Sequence, residues 1–168
     1  MVAALQRPSV RLAAALAAVL VAGVTAFVLV WFQPQKLLID DRVDEALPAV
    51  AVPAAGPATV RTLSVAPFRS HEHATRGRAR VIAVAGRRYV RFEDFRTSNG
   101  PLLKVYLSAA GPAGPGGAFD DRFVDLGRLK GNIGAQNYAI PGAVDLAAYR
   151  SIVVWCKRFG VPFAAARI

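Results

Sequence analysis

The sequence predicts an all-β protein: a single antiparallel β-sandwich domain preceded by one N-terminal transmembrane helix. Three observations lead there. Leu12 to Phe32 runs for 21 residues without a charge, long enough to cross the hydrocarbon core as a helix. From about residue 61 onward, apolar and polar residues alternate in short runs broken by Gly, Pro and Asn, which is the period of half-buried strands. No amphipathic helical pattern of any length interrupts those runs.

Length and composition bound the rest. A chain of 168 residues holds one ordinary domain plus an accessory segment, and at 54% hydrophobic it is too apolar to be disordered. The formal charge of +10 is unevenly placed. Through Pro57, Arg7, Arg11, Lys36 and Arg42 balance Asp40, Asp41, Asp44 and Glu45, so the whole excess lies beyond that point. A basic domain fits an anionic surface such as an acidic cell-wall polymer. Nucleic acid is not an expected partner, because the cations are scattered along strands and no nucleic-acid motif is present. One cysteine excludes an internal disulfide framework.

Four parts follow in order. Residues 1–11 form a short N-terminus carrying Arg7 and Arg11, and residues 12–32 the span, with Trp31 and Phe32 at an interfacial position. The positive-inside rule puts the N-terminus in the cytoplasm and everything after Gln33 outside, as a single-pass cell-membrane protein with an extracytoplasmic C-terminal domain. A cleaved signal peptide has an apolar region of about 7–15 residues and a small-residue cleavage site. This run is longer and ends in Trp-Phe-Gln, so an uncleaved signal anchor is expected. Residues 33–60 are Pro/Ala-rich and read as a semi-extended tether that holds the domain off the membrane. Residues 61–168 are the sandwich.

Within the domain, Arg78–Val84 and Arg88–Phe95 read as strands joined by a tight turn at Ala85-Gly86. Val90 and Phe92 face inward, with Tyr89, Arg91 and Glu93 outward. Leu103, Val105 and Leu107 repeat the alternation after the Ser98–Pro101 break. Gly111–Gly117 is a loop, Phe123–Gly127 and Tyr138–Ile140 are short strands, and Asp145–Tyr149 is one helical turn or a corner. A continuous apolar strand holding Cys156 and a closing strand from Val161 complete seven or so strands, the number of a sandwich. Asn99-Gly100-Pro101 and Lys130-Gly131-Asn132 read as turn chemistry. Arg87, Arg88, Arg91 and Arg78 or Arg80 align across the hairpin into a basic face.

Two groups carry candidate chemistry. Cys156 lies in an apolar strand and is followed by Lys157 and Arg158, whose charges favour a thiolate. His71 and His73 point the same way in an extended segment, and with Cys156 they make a two-His, one-Cys set of the kind that binds copper, although the usual axial methionine is missing. No hydrolase arrangement, phosphate-cradling loop or carboxylate pair is present.

A series of landmarks occurs in one order: His73 and Gly77, Phe92-x-x-Phe95, Asn99-Gly100-Pro101, Val105-Tyr-Leu-Ser108, Asp125-Leu-Gly-x-Leu-Lys-Gly131, Gln136-Asn-Tyr138, Tyr149, Ile152-Val-Val-Trp-Cys156 and Phe163-x-x-Ala166. Over about residues 62–168 the chain thereby resembles the DM-thirteen domain family, the Skeletor-type module. The resemblance implies a β-sandwich on an extracytoplasmic protein and a proposed role in electron transfer. It implies that Cys156 acts as a bare redox thiol or as a ligand to a prosthetic group such as haem, with His73 at the family's early histidine. Leu102 departs from the acidic residue often found there. No cytochrome or DOMON-like domain is fused to the chain, so a redox protein partner is expected to come from elsewhere. The alternative to a redox module is a non-catalytic cell-surface module that binds anionic wall polymer or a protein through its basic face. Either is a better expectation than a stand-alone enzyme.

Overall fold

The alternation read from the sequence becomes two packed sheets in the structure, a computed structural model that describes residues 8–48 and 59–168. The chain divides into an N-terminal unit through Gln35 and a second unit, Lys36–Ile168. Residues 1–7 and the Pro/Ala-rich stretch 49–58 of the expected tether lie outside the described residues.

In the first unit, α1 (Pro8–Trp31) is a 24-residue helix with no buried side chain. Its most apolar window has a mean hydropathy of 2.6, so it is long and apolar enough to cross a membrane.

Among its described residues the second unit has nine strands: β1 (Val60–Pro67), β2 (Arg69–Ser70), β3 (Arg76–Val84), β4 (Arg87–Arg96), β5 (Leu103–Ser108), β6 (Phe123–Arg128), β7 (Gln136–Ile140), β8 (Ser151–Cys156) and β9 (Val161–Arg167). One sheet has the order β1-β3-β4-β7 and the other β2-β9-β8-β5-β6, and every pairing between neighbours is antiparallel. This is the all-β sandwich that the alternation predicts. The core between the sheets includes Phe68, Val81, Val90, Phe92, Phe95, Val105, Leu107, Ile152, Val154 and Phe163. β1 escapes the sequence reading because its pattern is inverted: Leu63 and Val65 face outward, while the partly covered positions hold Ser64 and Ala66.

β4 solves a spacing problem. Phe92 and Phe95 are three apart, so in a regular strand they would face opposite ways. Pairing with β3 slips between Arg78↔Glu93 and Arg76↔Arg96, and Asp94 takes a left-handed φ of 50°. That bulge turns Phe95 into the core, where Phe68, Phe92 and Phe95 meet with ring centroids 4.9–5.2 Å apart. The bulge fits because Gly77 opposite it has no side chain. A Cβ there would lie 2.7 Å from the carbonyl oxygens of Glu93 and Asp94, and its φ is 103°.

All six residues of β8 are buried. Ile152, Val154 and Cys156 face the core between the sheets, and Val153 and Trp155 face outward onto Tyr106, Phe119 and Ala165. The Gly111–Gly117 loop leads into a 3-10 turn, Gly116–Asp120, which carries Phe119 to zero exposure over that outer face. A strand covered on both sides reads as an unbroken apolar run. The expected corner at residues 145–149 is a 3-10 turn, Leu146–Ala148, capped by the Asp145 carboxylate.

Gly77→Ala is expected to destabilise the domain by about 2 kcal/mol or more, since it adds left-handed strain to a backbone clash. Urea unfolding checks this through a lowered midpoint, and an unchanged midpoint would contradict the bulge account.

Candidate functional site

Cys156 ends β8 and faces the inter-sheet core with zero exposure. Its thiol donates to the Pro101 carbonyl at 3.3 Å. The strand register explains the contact. Cys156 pairs with Leu103 at the start of β5, so the turn that feeds β5 passes over the sulfur. That turn ends at Leu102, whose φ of 60° is costly for a residue with a branched side chain. Lys157 N–H donates to the Leu102 carbonyl at 3.2 Å and secures the turn from the other side. Residues 99–102 therefore form a cap over the thiol.

The two histidines go to different places. His73 stacks on Phe163, with centroids 3.7 Å apart and planes 26° from parallel. Burial pushes its pKa below the usual value, and the nearby Glu72 charge only partly offsets this. The Phe163 ring also reaches the cap, since a Cβ on Gly100 would lie 3.1 Å from its tip. Phe163 thus lies against both His73 and the cap. His71 instead holds the 111–120 loop: its Nε2 is 2.9 Å from the Pro112 carbonyl, and its ring meets Phe119 edge-on at 5.1 Å.

His71, His73 and Cys156 are thus not brought together as a copper set. Among the described residues, no three His, Cys, Asp or Glu side chains form a group that could hold a metal ion. Haem ligation by Cys156 meets the same obstacle, because the thiol is enclosed and its hydrogen is used by Pro101. A cleft of about 500 Å³, lined by residues including Ser70, Arg76, Arg96 and Asn99, does not include Cys156. As folded, the residues present do not fit either group.

Residues 39–46, within the stretch expected to be a tether, run along the domain as a strap. Val43 N–H donates to Ile133 O at 2.9 Å, Glu45 N–H to Ala135 O at 2.8 Å, and Ile133 N–H to Asp41 O at 3.2 Å, giving a parallel bridge between Arg42 and Ile133. The strap satisfies buried amides. Asn99 Nδ2 donates to Ile39 O and to Asp41 Oδ2, each at 2.9 Å. Asn132 Oδ1 accepts from Asp41 N–H, and its Nδ2 donates to Asp40 Oδ1 and Thr97 O. Glu45 accepts from Lys130 Nζ at 2.6 Å and from Asn137 N–H at 2.7 Å. The residues read from sequence as turn chemistry are hubs of this seam. The available signal was four acids grouped in an otherwise apolar, Pro-rich stretch.

The expected basic face is largely consumed within the fold. Arg78 and Arg80 each reach Glu93 at 2.8 Å, and Arg91 at 3.3 Å. Arg91 also donates to Glu45 O, Ala46 O and Asn137 Oδ1. Arg88 donates to the Gly142 and Val144 carbonyls, which leaves Arg87 exposed. Burial alone would raise the pKa of Glu93, but hydrogen bonds from Arg78 and Arg80 and their charges outweigh it, so the net shift is downward. Glu45 behaves alike: burial raises its pKa, and bonds from Lys130 and Asn137 bring it below the usual value.

Both glutamates therefore contribute stability that is fully present above the ordinary value of 4.5 and lost as pH falls through their lowered folded values. The urea midpoint is expected to drop below pH 4.5, and Glu93→Gln to flatten that drop. A wild-type midpoint independent of pH in this range would contradict the ion-pair account.

Comparison with curated proteins and with solved structures gave no match. Residues 67–168, more than half of the chain, match the family model described as electron transfer DM13. The match spans His71, His73, the cap, the hubs of the seam and Cys156, and it begins at Pro67, the last residue of β1, just before Phe68 enters the core. The chain belongs to the DM13 electron-transfer domain family.

Proposed function

We propose that this protein is an electron-transfer module held at the outer face of a membrane by α1, and that Cys156 is its redox-active side chain. Family membership supports electron transfer. Arg7 and Arg11 before the apolar run, with the acids following it, support the outward orientation of the domain. The observation that carries Cys156 is its cap. The one thiol of the chain lies beneath a turn held in left-handed strain at Leu102, and such strain gathers at sites that work.

Exchange needs the thiol uncovered only during an encounter, whereas ligation needs a standing open position at the sulfur. Deprotonated and uncovered, Cys156 attacks a disulfide of a redox partner. A new S–S bond joins its Sγ to one partner sulfur, while the other sulfur leaves as a thiolate and takes up a proton. Cys156 is oxidised to the disulfide level and one partner sulfur is reduced. Burial keeps the thiol reduced between encounters, which an oxidising compartment makes necessary.

The test uses the full chain in detergent, equilibrated with reduced and oxidised glutathione at varied ratios. A mixed disulfide on Cys156 is expected to form with a defined midpoint and to vanish in Cys156→Ser, with no visible absorption band in the protein as purified. The proposal falls if wild type forms no mixed disulfide under native conditions. It also falls if a visible band is present in wild type and lost in Cys156→Ser, which would restore the ligand reading.

A further inference from the structure

The strap and the cap share one residue. Asn99 Nδ2 holds the strap through Ile39 O and Asp41 Oδ2, while its Oδ1 accepts from Gly100 N–H at 2.8 Å. Gly100 leads directly to Pro101, whose carbonyl takes the Cys156 thiol. A continuous route thus runs from residues 39–41 through Asn99 and the cap to the sulfur. A cavity of about 30 Å³, room for a single water, lies between strap and cap among Asp41, Asn99, Leu102 and Gly131.

The strap is the weakest-held part of this route. From Ile39 to Ala46 no residue is buried, and only Val43 and Glu45 are half-buried. Hydrogen bonds and exposed ion pairs hold it, with little apolar burial behind them, and once it undocks water reaches the groups it leaves. β8, by contrast, is enclosed on both faces. Segments with many solvent-reachable bonds and little apolar burial open first. The strap also lies on a glycine floor. A Cβ on Gly134 would fall on the Val43 carbonyl, and one on Gly131 would lie 2.5 Å from the Asp41 carbonyl, so the docked position leaves no slack.

We propose that Asp41 and Asn99 are positioning residues that latch the cap, so that undocking of residues 39–46 uncovers Cys156 while the sandwich stays folded. As regulation of the redox thiol, this rests on the reading of Cys156 given above. Once the strap leaves, Asn99 loses both of its strap acceptors, and the strained turn at Leu102 is free to relax away from the sulfur. The latch makes access to the thiol depend on the segment that follows α1 in sequence, and a partner that binds residues 39–46 would therefore open the site.

The experiment measures the rate at which a small aromatic disulfide reagent labels Cys156 in the full chain in detergent, from zero to low urea. Wild type is expected to label slowly, at a rate nearly independent of urea, because a local opening exposes little surface. Asp41→Ala and Asn99→Ala are expected to label about tenfold faster, still without urea dependence. Asp41→Asn keeps an oxygen for Asn99 and is expected to stay near the wild-type rate. Gly134→Ala, which displaces the strap from the other side, is expected to match Asp41→Ala. Ser151→Ala removes a buried bond to the Ala110 carbonyl at the far end of β8, weakens the domain away from the seam, and is expected to leave the rate unchanged. The latch is overturned if labelling follows global stability with the full urea slope in every variant, or if neither Asp41→Ala nor Gly134→Ala alters the rate. Loss of redox response in Cys156→Ser is a separate readout. Altered labelling with the redox response intact in Cys156→Ser sinks the redox reading alone, and the reverse pattern sinks the latch alone.

Discussion

A buried amide side chain has to find partners, and three such side chains organise the end of this sandwich where the thiol lies. Gln136 is fully enclosed. Its Oε1 accepts from the backbone of Lys130 and Gly131 and from the Tyr138 hydroxyl, and its Nε2 returns a bond to Gly131 O. Asn132, at 1% exposure, and Asn99, at 8%, use the strap instead. Leaving any of these groups unpaired costs roughly 1–3 kcal/mol. Residues 130–132, the cap and the strap are thereby drawn to common positions by polar satisfaction, with little contribution from hydrophobic burial. The family landmarks around Lys130-Gly131 and Gln136-Asn-Tyr138 gain a physical meaning in this arrangement: they build the surface on which the strap docks.

The same network decides what the cysteine is able to do. A thiol with no exposure and a carbonyl for a partner is neither an open ligand position nor an available nucleophile. Its chemistry is then controlled by the stability of what covers it. The cover is a four-residue turn that carries backbone strain at Leu102, is pinned by Lys157 N–H, and is tied to the strap by Asn99. Phe163 supports it from below and meets His73 on its far side, so His73 acts on this end of the domain through ring packing. Burial favours the neutral imidazole for that contact.

Much of the fold was legible in the residues, and the reasons are local. Val90/Phe92 and Leu103/Val105/Leu107 alternate with polar neighbours, and their strands are where the alternation puts them. β8 reads as a buried run because both of its faces are covered. β1 was not legible, since its outward positions are the apolar ones and its inward positions are small. The Phe92-x-x-Phe95 spacing showed as a landmark, but its cause, a bulge opposite Gly77, depends on pairing that period counting cannot reach. At the site, Cys156 and its strand were visible, whereas its cap was not. Asn99-Gly100-Pro101 does form a turn, but its second role, binding a segment 58 to 60 residues away, leaves no local trace. The strap was hidden for the same reason. A short acidic stretch beside a Pro-rich one has the composition of a solvated linker, and only its partners at Asn132, Lys130 and Asn137 distinguish it from one.

The central claim is that strap and cap open as one unit that is less stable than the sandwich. Native-state amide hydrogen exchange on the full chain tests it without touching the cysteine. Val43 and Glu45 N–H report the strap, Gly100 and Lys157 N–H report the cap, and Val153 and Val154 N–H report the enclosed strand. The account predicts one common opening free energy for the first four, well below that of the last two. It is contradicted if Gly100 and Lys157 exchange only with the global unfolding of β8 while Val43 and Glu45 exchange on their own.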